Sequence, residues 1–265
     1  MKIGVIGCGN MSQALVKGVY KTRKDLEFHT FTPSYLKAQA LAEAVNGIAH
    51  KKISDFPKMD LWLIACKPQQ FDDLSNALDG MLKDQKVISI LAAISIGTIE
   101  VKLQTKYITR IMPNTPVYLN EGISLVTHSE NVNSEDQSNI ESIFKTLGMV
   151  YRCENEEQFN LLTVISGSGP AYIFEFAHSY IKLAEQMGMN KNDARKMINQ
   201  LFFGSAKLMN ETEKDLGDMI DAVTSKGGVT IEAINTFREE KLDLIIQKSV
   251  SKASQRSEQI TQQFG

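Results

Sequence analysis

Residues 1–14 read MKIGVIGCGNMSQA, and this stretch decides the fold of the chain. Its apolar first part, residues 2–6, is typical of a buried strand, and the residues that follow change at once to a helical pattern. Gly7 permits the tight turn between the two, and Gly9 lets the backbone approach a pyrophosphate. The stretch therefore predicts the opening βα unit of a dinucleotide-binding domain.

The helix after this turn supplies the phosphate-binding end of the motif. Its first residues, Asn10 and Met11, offer unpaired backbone N–H groups to the pyrophosphate charge. Ser12 stands where the fingerprint usually has a third glycine, a position that asks for a small residue where helix and strand pack closely. The alternative is a βα turn that binds no ligand. The strand before the turn and the helix after it favour the nucleotide site.

Strand and helix patterns alternate over about the first 150 residues, which predicts a mostly parallel, doubly wound sheet with its ligand at the carboxyl ends of the strands. The predicted strands are 2–6, 27–31, 61–65, 87–90, 108–112 and 124–127. The predicted helices between them are 11–20, 35–45, 70–82 and 96–103.

The chain changes character after about residue 159, where only helical patterns follow. These helices are predicted at 170–187, 191–210, 216–223, 230–240 and 245–265. We therefore expect an α/β domain at 1–158 and an all-helical domain at 159–265. The helix at 170–187 is apolar on more than one face, which indicates packing against another subunit as well as its own core.

Composition narrows the class of partner. Lys and Arg total 29 against 31 for Asp and Glu, and no long basic run occurs, which argues against nucleic acid or a membrane surface. The apolar runs are shorter than the about 18 residues of a membrane span, and the N-terminus enters a strand directly, so we expect a cytoplasmic protein with a small-molecule substrate. The cysteines and histidines lack metal-ligand spacing, so we expect buried thiols and no metal site.

A second informative stretch, residues 223–231, reads VTSKGGVTI. Small hydroxyl residues and paired glycines lead into an amphipathic helical pattern, which leaves the first N–H groups of the helix free to bind a carboxylate or phosphate. Taken alone, such a loop is more often a simple N-cap. The nucleotide motif at the start of the chain favours the anion-binding interpretation.

Together the motifs resemble one family, pyrroline-5-carboxylate reductase, which makes proline by reducing a cyclic imine. The resemblance covers essentially the whole chain and rests on residues 7–11 (GCGNM), 32–34 (TPS), 65–68 (ACKP), 112–116 (MPNTP), 166–172 (SGSGPAY) and 225–230 (SKGGVT). It implies an enzyme with a Rossmann-type domain followed by a helical dimerisation domain. It also implies a homodimer or a larger ring of dimers, in which each active site draws on two subunits.

The resemblance implies the residues that hold the cofactor. They are Gly7, Gly9, Asn10 and Met11 at the pyrophosphate, Ala65, Lys67 and Pro68 at the nicotinamide ribose, and Ala93 and Asn114 on the nicotinamide side. The alternative for Lys67 is an ordinary loop cation. By residue type alone, Asn114 is equally a turn former.

The end of the second predicted strand bears on the choice of cofactor. An NAD site would place a carboxylate there to receive the ribose hydroxyl, but residues 31–35 read FTPSY, without an acid. NADPH is therefore favoured, with NADH as the alternative. Ser34 would donate a hydrogen bond to the extra phosphate, and Lys37 would add positive charge.

The 225–230 loop is expected to bind the imine substrate. The hydroxyl of Ser225 and the N–H groups of Gly228 and Val229 would bind its carboxylate. Thr230 resembles the residue that hydrogen-bonds the ring nitrogen in the family and is the catalytic candidate, and Glu213 aligns with a substrate-side acid of some members. The loop holds no strong general acid, so solvent or an already protonated imine would supply the proton.

Three departures from the family pattern bear on the substrate. Lys226 replaces the usual proline, Val229 replaces Thr or Ala, and Ala93 replaces glycine. They leave two alternatives open: a reductase of another imine or keto acid, and a non-enzymatic paralogue that binds nucleotide. Retention of Ser225, Gly228 and Thr230 argues for the enzyme.

Overall fold

The computed structural model describes residues 1–264, which form two compact units. The first contains Met1–Pro170 together with the chain from Ala253 onward, and the second contains Ala171–Lys252. Gly265, the last residue of the predicted helical domain, lies outside the described residues. In residues 1–264 no helix combines the length and the apolar character needed to cross a membrane.

The first unit is built on an eight-stranded sheet with the order β3-β2-β1-β4-β5-β6-β7-β8. All neighbouring strands pair in parallel except β6 and β7, which are antiparallel. The strands are β1 (Lys2–Ile6), β2 (Glu27–Phe31), β3 (Ile48–Ala49), β4 (Leu61–Ile64), β5 (Val87–Ser89), β6 (Ile108–Pro113), β7 (Gly122–His128) and β8 (Gly148–Arg152). The carboxyl ends of β1 to β6 therefore lie at one edge of the sheet.

Helices cover both faces of this sheet. They are α1 (Asn10–Thr22), α2 (Tyr35–Ala44), α3 (Phe71–Leu78), α4 (Ile96–Leu103), α5 (Ser134–Phe144) and α6 (Glu156–Ser166). Val5 belongs to a buried cluster with Leu15 of α1, whereas its neighbour Ile6 belongs to a second cluster with Phe71 of α3 and Ile99 of α4. Because successive strand residues point to opposite faces, β1 is buried from both sides. The predicted doubly wound sheet is confirmed.

The structure corrects several predicted elements. The helix predicted at 70–82 ends at Leu78, because Asp79 (φ +39°) and Gly80 (φ +75°) adopt left-handed conformations that terminate it. Two strands, β3 and β8, and two α-helices, α5 and α6, were not predicted. Of these, β3 has only two residues and β8 is largely exposed, so neither carries a run of buried apolar residues long enough to be recognised.

The remaining helices are α7 (Gly169–Gln186), α8 (Lys191–Asn210), α9 (Leu216–Ala222), α10 (Val229–Glu239) and α11 (Leu242–Phe264). They confirm that the C-terminal region is helical. Within Ala171–Lys252, only Ala184, Ala194 and Ile198 are buried. Large apolar side chains of α7 are exposed instead, including Phe174 at 64% and Ile173 at 51%. A helical unit with this few buried residues does not form its own apolar core.

Candidate active site

Gly7 joins the ends of three strands at the turn after β1. Its φ is +101°, and a Cβ atom here would lie 2.6 Å from the carbonyl carbon and oxygen of Ala65. The N–H of Gly7 donates to the carbonyl of Phe31 at 2.8 Å, and the N–H of Ala65 donates to the carbonyl of Ile6 at 2.8 Å. Both the backbone conformation and the close approach of β4 therefore require glycine at this position.

Gly9 leaves open space at the N-terminus of α1. A Cβ atom on Gly9 would meet nothing within 4 Å. No side chain caps the helix, and its first turn contains no acidic residue. Ser12 Oγ donates to the Gly9 carbonyl at 3.1 Å, and Gln13 Nε2 donates to the Cys8 carbonyl at 3.2 Å. These side chains of α1 therefore stabilise the turn. An open, uncapped helix N-terminus without carboxylates fits the pyrophosphate of a dinucleotide.

Ser34 and Lys37 lie beside this turn, after the carboxyl end of the neighbouring β2. Ser34 is the N-cap residue of α2, and its hydroxyl makes no capping hydrogen bond. The first turn of α2 contains no acidic residue, and both Ser34 and Lys37 are exposed. The sheet edge next to Gly9 therefore presents a hydroxyl and an ammonium group without a competing carboxylate.

The segment after β4 holds Ala65, Lys67 and Pro68. The N–H of Lys67 donates to Oε1 of Gln70 at 3.2 Å, which ties down the backbone while the Lys67 side chain stays exposed. Burial raises the pKa of the Cys66 thiol between them to about 11. Cys66 is therefore a neutral thiol near pH 7, which argues against a nucleophilic role.

Ala93 lies in the loop between β5 and α4, and its φ is +63°. An alanine in this left-handed region costs about 1–2 kcal/mol relative to an ordinary conformation. The far end of the loop is fixed by Ser95, whose Oγ accepts from the N–H of Thr98 at 3.1 Å. A glycine would adopt this conformation without strain.

Asn114 is buried at the carboxyl end of β6, where its side chain hydrogen-bonds to two other elements. Its Oδ1 accepts from the N–H of Ile123 at 2.8 Å, and its Nδ2 donates to the carbonyl of Ser166 at 3.0 Å. These bonds join β6, β7 and the end of α6. They give the Asn114 side chain a structural role between elements, and its role on the nicotinamide side stays a prediction.

Arg110 and Glu156 form an ion pair that the sequence analysis missed. Arg110 is 2% exposed, its Nη1 lies 2.5 Å from Oε1 of Glu156, and its guanidinium lies 4.6 Å from the centre of the Phe159 ring. Burial lowers the pKa of Arg110, while the Glu156 carboxylate opposes that change. Glu156 Oε1 also accepts from the N–H of Ile96 at 2.8 Å. The available signal was a lone arginine in the apolar run of β6.

The 225–230 loop precedes α10 in the second unit. A Cβ atom on Gly228 would overlap the Ser225 hydroxyl, and the N–H of Gly228 donates to the carbonyl of Ser225 at 2.9 Å. Gly227 has a φ of +74°, and no side chain caps α10. Val229 and Thr230 are exposed, as Val229 at 92% shows most clearly. The loop therefore presents the uncapped start of a helix.

Glu213 lies elsewhere in the second unit, in the connection between α8 and α9, where it is exposed. No hydrogen bond or ion pair to the 225–230 loop is described for its carboxylate. All cofactor-site candidates lie in the first unit, at the carboxyl ends of the adjacent strands β2, β1, β4, β5 and β6. All substrate-site candidates lie in the second unit.

Comparisons with known proteins match both parts of the chain. Residues 156–260 match the family model described as pyrroline-5-carboxylate reductase dimerisation, and residues 2–93 match the model described as NADP oxidoreductase, coenzyme F420-dependent. The chain is 32% identical over 265 residues to the pyrroline-5-carboxylate reductase of Escherichia coli (strain K12), which covers 98% of each protein.

Two solved structures extend this similarity to three dimensions. A pyrroline-5-carboxylate reductase from Coxiella burnetii superposes with a TM-score of 0.88 at 28% identity, covering 97% of each chain. The Plasmodium falciparum pyrroline carboxylate reductase with NADP bound superposes with a TM-score of 0.83 at 23% identity, covering 98% of this chain and 100% of that one. The second likeness is evidence of a shared fold.

Proposed function

This chain belongs to the pyrroline-5-carboxylate reductase family, and from that premise we propose that it reduces pyrroline-5-carboxylate to proline with NADPH. One observation carries the proposal. The N-terminus of α1 beside Gly9 is open, uncapped and free of carboxylates, as the pyrophosphate of a dinucleotide requires. We keep the division into a cofactor domain at 1–158 and a helical domain at 159–265 as part of the proposal.

The first unit would hold the cofactor through its backbone. Gly7 and Gly9 shape the turn, and the N–H groups of Asn10 and Met11 bind the pyrophosphate. Ala65, Lys67 and Pro68 support the ribose after β4. When bound, NADPH supplies the hydride that reduces the C=N carbon. The protein's own contribution is to fix the position of the nicotinamide end.

Ser34 and Lys37 are the residues proposed to bind the extra phosphate of NADPH. The N-cap hydroxyl of Ser34 has no capping partner and can donate to a phosphate oxygen. Lys37 adds a positive charge one helical turn further along α2, and no acid is present there to repel the phosphate. Ser34 and Lys37 are therefore proposed to favour NADPH over NADH.

The 225–230 loop is proposed to hold the substrate. The carboxylate would accept hydrogen bonds from the Ser225 hydroxyl and from the N–H of Val229, at the positive end of the α10 dipole. The N–H of Gly228, which was predicted to take part, already donates to the carbonyl of Ser225 at 2.9 Å. Lys226 adds a cation to the same loop. Thr230, in the first turn of α10, would hydrogen-bond the ring nitrogen and so orient the C=N carbon.

The proton for the ring nitrogen does not require a strong acid in the protein. The exposed Thr230 hydroxyl can relay a proton from solvent, and an already protonated imine needs none. Glu213 is a proposed substrate-side acid, placed there by the family resemblance. The cytoplasmic location remains a prediction of the sequence.

We further propose that two chains pair through the helical unit. The apolar side chains of α7 are exposed in the single chain, and the unit buries only three residues of its own. Pairing would remove this apolar surface from water at a gain of about 25 cal/mol per Å². A ring of dimers would require a second contact, between dimers.

The function is tested by NADPH and NADH oxidation with pyrroline-5-carboxylate, followed at 340 nm, with proline measured as product. We expect proline and a preference for NADPH. NADPH binding without oxidation of NADPH would identify a nucleotide-binding paralogue. Oxidation with another imine or keto acid in place of pyrroline-5-carboxylate would identify a different reductase and assign Lys226 and Ala93 to that substrate.

Thr230→Ala tests the role of the loop in turnover. It removes the hydrogen bond to the ring nitrogen, so turnover should fall about tenfold or more while NADPH affinity stays within about twofold. The matched control is Thr236→Ala on the same helix, since the exposed Thr236 donates only to the carbonyl of Glu232. Equal turnover in the two variants would remove Thr230 from the mechanism.

A further inference from the structure

We propose that Glu156 is a positioning residue that holds the β5–α4 loop, residues 90–95, against the nicotinamide end of the cofactor. The inference rests on the proposed function and on the family resemblance, which implies that Ala93 of this loop lies on the nicotinamide side. The inference starts from two hydrogen bonds that one oxygen atom of Glu156 accepts. Oε1 of Glu156 accepts both from the N–H of Ile96, at 2.8 Å, and from Nη1 of Arg110, at 2.5 Å.

The bond to Ile96 lies where the loop ends. Ile96 is the first residue of α4, so its N–H is one of the groups that a helix leaves without an internal partner. Ser95 Oγ already accepts from the N–H of Thr98 at 3.1 Å. Glu156 supplies the acceptor for Ile96 from a position 60 residues away in sequence. The loop with the strained Ala93 is therefore anchored at its far end by a separate helix.

Arg110 holds the Glu156 carboxylate in place for this bond. Its guanidinium is buried under the Phe159 ring, and Nη1 also approaches Oδ1 of Asn160 at 3.4 Å. Among the described residues, Glu156 is the single ionic contact of Arg110, and Arg110 Nε has no hydrogen-bond partner. A buried charge of this kind fixes the position of its counter-ion, because a shifted carboxylate would leave it unpaired.

The C-terminal end of α6 is also hydrogen-bonded to a candidate site residue, Asn114. Asn114 Nδ2 donates to the carbonyl of Ser166, the last residue of α6, at 3.0 Å. The helix has 11 residues and spans about 16 Å. It thus connects the end of the β5–α4 loop with the end of β6. On this basis α6 sets the spacing of the two segments, those of Ala93 and Asn114, that the family resemblance implies on the nicotinamide side.

Two double variants separate this positioning role from a general structural role. Arg110→Met with Glu156→Gln removes both charges but keeps an acceptor for Ile96. Arg110→Met with Glu156→Leu removes both charges and the acceptor. Replacement of a buried ion pair by apolar side chains is often neutral for stability, so the two proteins differ chiefly in one hydrogen bond. Their thermal unfolding midpoints serve as the control for folding.

Three readouts are compared in the full-length proteins. The Leu variant should show faster hydrogen exchange at the Ile96 amide than the Gln variant. It should bind NADPH about three- to tenfold more weakly, the range expected from one hydrogen bond, with unchanged binding of 2′,5′-ADP, which lacks the nicotinamide. Its kcat should fall about tenfold with little change in the KM for pyrroline-5-carboxylate, because hydride transfer is sensitive to small displacements.

Equal NADPH affinity and equal kcat in the two double variants would overturn the inference. If these variants do not fold, exchange in the wild-type protein decides the question: an Ile96 amide less protected than the Thr98 amide would also overturn it. Failure of the proposed function is recognised separately. Wild-type protein that binds NADPH but leaves pyrroline-5-carboxylate unreduced refutes the function, while the contrast between NADPH and 2′,5′-ADP still tests the role of Glu156.

Discussion

Replacement of Gly9 by alanine should strongly weaken cofactor binding without harming the fold. Gly9 has φ −74° and ψ −179°, an extended conformation that alanine adopts freely, and its Cβ would meet nothing within 4 Å. Loss of backbone entropy in the unfolded chain stabilises such a variant by about 0.4–1 kcal/mol. Alanine is a poorer N-cap than glycine by a similar amount, about 0.5–1 kcal/mol. The two effects cancel to a first approximation.

The effect on the cofactor should be large. The new methyl group would occupy the space through which a pyrophosphate approaches the N-terminus of α1. A hydrogen bond to a charged group contributes about 1.5–3 kcal/mol, so the loss of two such bonds costs about 3–6 kcal/mol. This free energy corresponds to an NADPH dissociation constant raised by about a hundredfold or more.

Gly7→Ala provides the contrasting variant in the same turn. A Cβ there would lie 2.6 Å from backbone atoms of Ala65, and the φ of +101° is unfavourable for alanine. The left-handed conformation costs about 1–2 kcal/mol and the overpacking about 1–3 kcal/mol, or about 2–5 kcal/mol together. Each kcal/mol lowers the midpoint of thermal unfolding by about 2–4 °C in a domain of this size.

The assay combines thermal unfolding by circular dichroism with titration of NADPH fluorescence. Gly9→Ala should unfold within about 2 °C of wild type and show the large loss of affinity. Gly7→Ala should unfold at a clearly lower temperature. NADPH affinity of Gly9→Ala within about threefold of wild type would refute the reasoning, since it would mean that no pyrophosphate lies against Gly9.

Three further predictions follow from other parts of the structure. Ala93→Gly relieves left-handed strain at a smaller entropic cost, so calorimetry should show a midpoint about 2 °C higher, and an unchanged midpoint would contradict the strain at Ala93. Phe174→Glu should convert dimers to monomers in light scattering, whereas Lys182→Glu on the same helix should not; a dimeric Phe174→Glu protein would place the subunit contact elsewhere. Because the pKa of Cys66 is about 11, its alkylation rate, followed by mass spectrometry, should rise about tenfold per pH unit between pH 7 and 10; a plateau above about pH 9 would indicate an ordinary thiol.

The sequence predicted the strands and helices that contain long runs of buried apolar residues. The bounds of β1 and β2 were predicted to the residue, because each is an apolar or alternating run with turn residues at its end. The short strand β3 was missed because two residues carry no periodicity. The doubly wound architecture followed from the alternation alone.

The site was predictable only where a residue type implies its own geometry. Gly7 and Gly9 were of this kind, since glycine marks turns and close approaches. The left-handed conformation of Ala93 was not, because alanine gives no local sign of it. The pair of Arg110 and Glu156 joins residues 46 positions apart, and only the folded sheet brings them together.

The scarcity of buried residues in Ala171–Lys252 has a consequence for how the chain matures. If this unit pairs with a second copy as proposed, its stability depends on protein concentration, because the single copy leaves its apolar side chains exposed. Newly made chains at low abundance would pass through a state with exposed apolar helix surfaces. Proteases and chaperones bind such surfaces. The expression level would then set the fraction of chains that is folded as well as their total amount.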